Sequence, residues 1–129
     1  MNRQFNHHYT RDEARELLPQ VGSWLREIQD LQLELVRCEN RLGSILSQGD
    51  DAGGPSVNEN VRAVARLHQL TREFNEREIF IKDAERGLVD FPAIIGGREV
   101  FLCWELDEED IEFWHDIDSG FSGREPLSS

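Results

Sequence analysis

The sequence predicts an α+β protein: a long antiparallel helical hairpin, coiled-coil-like in its spacing, followed by a small three- to four-stranded antiparallel β-meander. Three observations carry that prediction. An apolar stripe with a period of about 3.5 residues runs through the first part of the chain. A stretch rich in Gly, Asp and Pro interrupts it, and short β-rich runs separated by glycines take over beyond Arg77. At 129 residues the chain has the length of one domain, 1–129, with the arm and hairpin over 1–77 and the meander and acidic segment over 78–129.

The first helix starts at Thr10, because a Thr with Glu13 three residues later can satisfy the free amides of a first turn reciprocally. Pro19 lacks an amide hydrogen and disfavours helical geometry at Leu18, so a break or kink is expected there. The stripe itself is Leu17, Val21, Trp24, Ile28, Leu31, Leu35, Cys38, Leu42 and Ile45, with Arg26, Glu27, Asp30, Glu34, Arg37, Glu39 and Arg41 on the outer, solvated face. Turn-forming residues over Ser47–Ser56 mark a hairpin loop. A second helix then runs from about Val57 to Arg77 and presents Val57, Val61, Val64, Leu67, Leu70 and Phe74 to its partner. Its length of roughly 30 Å covers most of the first helix.

Four β-rich runs follow: Glu78–Ile81, Leu88–Ile95, Arg98–Trp104 and Ile111–Trp114. Gly96-Gly97 suits a two-residue hairpin turn with positive φ at both positions. Pro92 cannot donate to a ladder, which puts its strand at an edge or at a bulge. In the third run Val100, Leu102 and Trp104 alternate with Phe101 and Cys103, so both faces are apolar. One hairpin covers one face. The second then needs the first turns of helix, the C-terminal tail or another subunit, and a homodimer or another protein partner is the expectation.

Fourteen Lys and Arg against 26 Asp and Glu give a net charge of -12, which repels the phosphate backbone that supplies most nucleic-acid affinity, so no nucleic-acid partner is expected. The N-terminus MNRQFNHHYT has no apolar core for secretion and no run approaches the ~20 apolar residues of a membrane span, so the chain reads as cytoplasmic, with no membrane partner. Two cysteines, Cys38 and Cys103, are too few for a stapled fold or a closed zinc site and read as reduced core thiols.

Lys82-Asp83, Gly87-Leu-Val-Asp-Phe-Pro-Ala93, Gly97-Arg-Glu-Val100, Leu102-Cys-Trp104, Trp114-His115 and Gly120-Phe-Ser-Gly-Arg124, together with Tyr9-Thr10 and Glu16-Leu-Leu-Pro19, resemble the small prokaryotic family catalogued as domain of unknown function 2203. The resemblance spans nearly the whole chain. It implies the extent of the domain and a prokaryotic source, and it brings no activity, cofactor or catalytic residue.

The features that could carry chemistry lie in the last third. Glu105, Asp107, Glu108, Glu109, Asp110, Glu112, Asp116 and Asp118 form an acidic run free of Lys and Arg. Clustered carboxylates suit a hard cation, but the spacing is not that of an EF-hand, and a solvated acidic loop explains the run as well. Trp114-His115-Asp116-Ile-Asp118 is more suggestive, because His beside carboxylates recurs in metal sites; the candidate ligands of a divalent metal are His115, Asp116, Asp118 and Glu112. Strand alternation opposes that set, since Glu112 and Asp116 point away from His115. His7 and His8 join only if the N-terminus folds over. Arg124, between glycines, could bind an anion or pair with a nearby carboxylate. Trp24, Trp104, Trp114, Phe91, Phe101 and Phe113 could line a pocket, though core packing accounts for them.

No phosphate loop, dinucleotide fingerprint, nucleophile elbow or Cys-X-X-Cys is present, so no catalytic residue is assigned and no cofactor is evident beyond the possible metal. The reading is therefore a small non-enzymatic interaction or self-associating scaffold module. The alternative is a metal-binding protein or metal-dependent enzyme using the His115 region, and after it a small-ligand binder between hairpin and sheet.

Overall fold

The computed structural model describes residues 3–47 and 55–127, so most of the loop expected over Ser47–Ser56 lies outside the described residues. Two helices precede a five-stranded antiparallel sheet. Helix α1 spans Arg11–Ser47 and α2 spans Pro55–Glu76. The expected cap forms: the Glu13 amide donates to Thr10 Oγ1 and the Thr10 amide to the Glu13 carboxylate, each at 3.1 Å.

Pro19 does not break α1, which runs through it. A proline inside a helix costs about 3 kcal/mol. Buried Ala14, Leu18, Val21 and Leu25 flank it on both sides, and each large apolar side chain contributes about 1.5–3 kcal/mol. Burial on either side outweighs the local penalty. The stripe is also wider than the expected seam, since Leu18 and Leu25 are buried while Leu17, Trp24 and Leu31 are half-buried. One helix here meets two partners, the sheet and α2, and needs two adjacent rows.

Trp24 packs edge-on against Phe74 with ring centroids 5.6 Å apart, Arg77 lies over Trp24, and Glu27 pairs with Arg66. Moving up α1 thus means moving down α2. Toward the far end the expected α2 face fails: Val61 and Val64 are exposed and Ala63 is buried in their place. The side chains of Val57, Leu42 and Ile45 lie outside the described residues.

The strands are β1 (Phe80–Asp83), β2 (Leu88–Ile95), β3 (Arg98–Glu105), β4 (Phe113–Asp116) and β5 (Glu125–Pro126), paired in chain order. The count is five, not three or four: the two-residue β5 is too short to leave a periodic signal, and it forms only against Phe113 and Trp114 of β4. Gly96 and Gly97 turn β2 into β3 with φ of 60° and 77°. Glu78 opens no strand; it sits in the turn before β1 with φ of 54°.

Pro92 lies in an interior strand, yet no ladder bond is lost. β1 ends its pairing at Asp90, and the Pro92 carbonyl accepts from the Tyr9 amide at 2.7 Å. A strand residue's nitrogen and carbonyl point to the same side, so the missing donor faces the gap beside β1 and not β3.

Val89, Phe91, Ala93, Val100, Leu102 and Trp104 form the face that packs on Leu18, Val21, Leu25, Ile28, Leu70 and Phe74. The opposite face is covered within the chain. Phe5 sits 5.2 Å from Phe80 and 5.4 Å from Phe101, and Lys82 Nζ lies 5.2 Å above the Phe101 ring. Two glutamates hold this N-terminal strap by its backbone: Glu99 accepts from the amides of Gln4 and Phe5, and Glu78 from those of Asn6 and His7. His8 is held on Glu99 at 2.7 Å. Ile117, Ser119 and Gly120 of the C-terminal segment close the other side.

Five of the eight carboxylates of the acidic run meet arginines. Asp110 takes a two-pronged contact from Arg15 at 2.8 and 2.9 Å, Asp107 pairs with Arg26, Glu105 with Arg86, Glu108 with Arg124, and Asp116 with Arg98. The 106–112 connection is thereby tied to α1. Arg15 holds the Asp110 carboxyl below its ordinary value of 3.8, against the smaller opposing effect of burial. A carboxyl depressed in the folded state contributes stability that is complete above the unfolded value and disappears as pH falls through the lower folded one. Asp110→Asn is therefore expected to flatten the acid limb of a melting-temperature profile taken downward from pH 6; a limb as steep as the parent's shows that the pair is inert.

Candidate metal centre

Six residues out from the Gly96-Gly97 turn, Asp90 of β2 stands directly across from Cys103 of β3. His115 of β4 stands across from Phe101, one diagonal step from Cys103 on the same face. Three adjacent strands thus place a carboxylate, a thiol and an imidazole together on the face turned away from the helices. Their ligand atoms all lie within 4.8 Å of one another. Asp90 and His115 are the two buried polar or charged side chains among the described residues, and Cys103 is 1% exposed.

His115 Nδ1 lies 2.8 Å from the Asp116 carbonyl oxygen, and Nε2 lies 3.0 Å from Asp90 Oδ1. A carbonyl only accepts, so Nδ1 carries the proton and Nε2 is the nitrogen aimed at Asp90. Burial pushes the Asp90 carboxyl above its ordinary value, opposed by its hydrogen bonds to His115 and Cys103 and by the Lys82 charge. Burial, then the Asp90 charge, pushes the Cys103 thiol up to about 11, opposed by Arg124.

The geometry discriminates between two uses of a buried thiol. A cysteine nucleophile needs a depressed pKa and a base directed at its sulfur; here the thiol is raised and His115 Nε2 faces Asp90. A metal ion instead removes the thiol proton itself and needs a fixed imidazole tautomer with the other nitrogen anchored on a carbonyl or carboxylate. The Asp116 carbonyl supplies that anchor. Tetrahedral zinc with bonds of about 2.0–2.3 Å sets its ligand atoms roughly 3.3–3.8 Å apart, so to hold one the pairs separated by up to 4.8 Å close by up to about 1.5 Å, and the 3.0 Å Asp90–His115 pair opens by a few tenths.

Of the candidates expected from sequence, His115 is in this cluster. Glu112 and Asp118 are exposed, and Asp116 is exposed with its carboxylate 2.9 Å from Arg98; its backbone carbonyl, not its side chain, serves His115. Arg124 stacks 3.8 Å over Phe113 and reaches Glu108 at 3.3 Å. Asp90 and Cys103 escaped sequence reasoning. The signal was there: a charged residue inside the apolar run Leu88–Ile95, and a glycine-pair turn whose register puts it opposite Cys103. The position of β4 is set by the longer 106–112 connection, whose register no turn motif specifies.

Fold and site together define a small α+β protein in which a helix pair covers one face of an antiparallel meander and a buried Asp–Cys–His trio occupies the other. The chain belongs to the family described as uncharacterized conserved protein, DUF2203, whose model matches residues 7–127. No curated protein and no solved structure matches it. Among the described residues no helix is long and apolar enough to cross a membrane.

Proposed function

We propose that the protein binds one divalent transition-metal ion, zinc by preference, through Asp90, Cys103 and His115. One observation carries this: three ligand-type side chains from three strands converge, buried, on the sheet face turned away from the helices. Thiolate and imidazole select zinc over magnesium or calcium, which want oxygen alone. The competing account is a structural Asp90–His115 hydrogen bond beside a core cysteine. Metal content separates the two. Protein purified without chelator is expected to carry one zinc per chain, lost in Cys103→Ala and retained in Glu112→Gln and Asp118→Asn; a parent chain that neither carries nor takes up zinc overturns the reading. A thiolate ligand suits a reducing compartment, which supports placing the protein in the cytoplasm.

Self-association is a second reading, with its own support. Leu33 and Val36 are 56% and 52% exposed, and Val36 continues the helical row of Leu18 and Leu25 beside Ala84 and Glu85 of the β1–β2 turn. Light scattering is expected to return a dimer that Leu33→Glu dissociates; a monomer at micromolar concentration overturns it. The two-sided sheet no longer argues for a partner, because the strap and C-terminal segment cover its second face.

A further inference from the structure

We propose that the metal centre is open on one side and takes a small monocarboxylate, bound between the ion and Lys82; this rests on the metal-binding reading above. Three protein ligands leave a tetrahedral ion one vacant position, the arrangement of sites that exchange a ligand and not of purely structural ones. Asp90, Cys103 and His115 approach from the sheet, so the remaining direction points away from it. On that side lies a cavity of about 150 Å³ bounded by Lys82, Leu88, Ile117, Ser119 and Gly120 together with the trio itself. At about 30 Å³ per water of liquid volume, it admits a group of four or five non-hydrogen atoms, the size of acetate.

Charge decides the class. A divalent ion with the Asp90 carboxylate, the Cys103 thiolate and a neutral His115 sums to zero. Arg124 and Glu108 offset one another at 3.3 Å. Lys82, whose ammonium is steered over the Phe80 and Phe101 rings at 5.5 and 5.2 Å, adds one positive charge at the rim. The cavity is thus complementary to a single negative charge, with the ion at one end and an ammonium at the other. Leu88 and Ile117 give the cavity an apolar wall for the methyl end of such a group.

Cobalt(II) serves as the probe ion, since it accepts the same tetrahedral ligand set and its visible bands report the fourth ligand. The full chain is loaded with cobalt and titrated with sodium acetate and, separately, inorganic phosphate. Acetate is expected to shift the bands saturably, and more tightly than phosphate. Lys82→Gln weakens acetate by about tenfold or more, the scale of one charge-assisted hydrogen bond, and Lys82→Arg restores it, both read on the cobalt-loaded fraction. A chain that takes up no cobalt overturns the metal reading and this one together. Cobalt bands indifferent to both anions leave the metal centre standing and overturn the open site. Tighter binding of phosphate overturns the carboxylate assignment, and an unchanged acetate titration in Lys82→Gln overturns the role of Lys82.

Discussion

His115→Ala in the metal-free protein is expected to lose about 1–3 kcal/mol of stability, the scale for leaving a buried hydrogen-bonding group without its partner. The His115 and Asp90 side chains are 3% and 2% exposed, so water cannot replace the lost partner. The orphaned carboxyl then takes up a proton instead of remaining charged. This gives the loss a sign in pH. Burial already raises Asp90, and His115 is among the groups that oppose it, with Lys82 and Cys103; without His115 the folded value rises further. A carboxyl raised in the folded state binds a proton that the unfolded chain releases, so stability falls as pH climbs from the ordinary value of 3.8 toward the folded one. The slope is at most about 1.4 kcal/mol per pH unit for one proton. Urea unfolding of His115→Ala at pH 5 and pH 8 checks this, the deficit being larger at pH 8. Asp90→Ala combined with His115→Ala is expected to cost less than the two single losses added, since no orphan remains. Additive losses would show that the two side chains do not interact.

Phe91→Ala is expected to cost about 3–5 kcal/mol at any pH, the range for emptying a fully buried aromatic site. Phe91 is 0% exposed on the helix-facing side of β2, and its ring meets Tyr9 edge-on at 5.4 Å. Tyr9 in turn donates its amide to Pro92 and its hydroxyl to the Arg77 carbonyl, so the cavity would loosen the start of α1, the end of α2 and the sheet together. Equilibrium unfolding followed by tryptophan fluorescence and by far-ultraviolet circular dichroism is expected to shift as one transition. A loss below about 1 kcal/mol would mean that helices and sheet do not share this core. The variant is also expected to bind zinc as the parent does, because Asp90, Cys103 and His115 occupy the other face of the sheet.

Much of the scaffold was legible without coordinates. The Thr10/Glu13 cap, the extent of α2, the Gly96-Gly97 turn and the alternation in β3 all come from interactions between residues close in sequence, where backbone stereochemistry leaves few alternatives. The errors fall where a distant element decides. Pro19 reads as a break or kink, and it is overruled by a core built from α2 and the sheet. Pro92 reads as an edge or a bulge, and it is tolerated in an interior strand because β1 is short and Tyr9 fills the gap. Glu105 to Asp118 reads as one acidic run, whereas Glu105, Asp107, Glu108, Asp110 and Asp116 each meet an arginine from α1, the β1–β2 turn, β3 or the C-terminal segment.

The candidate site divides the same way. Side-chain type and strand parity mark His115 and turn its neighbours Glu112 and Asp116 to the opposite face, and the glycine turn pairs Asp90 with Cys103. All of that follows from a period of two and a two-residue turn, both local properties. What only the folded chain decides is that β4 returns beside β3 in the register that brings His115 to that pair, that the N-terminal strap covers the neighbouring Phe101, and that the 117–120 segment borders the trio. Those contacts join residues from Phe5 to Gly120, and their placement depends on burial and on pairing across long loops, for which a linear pattern carries no period.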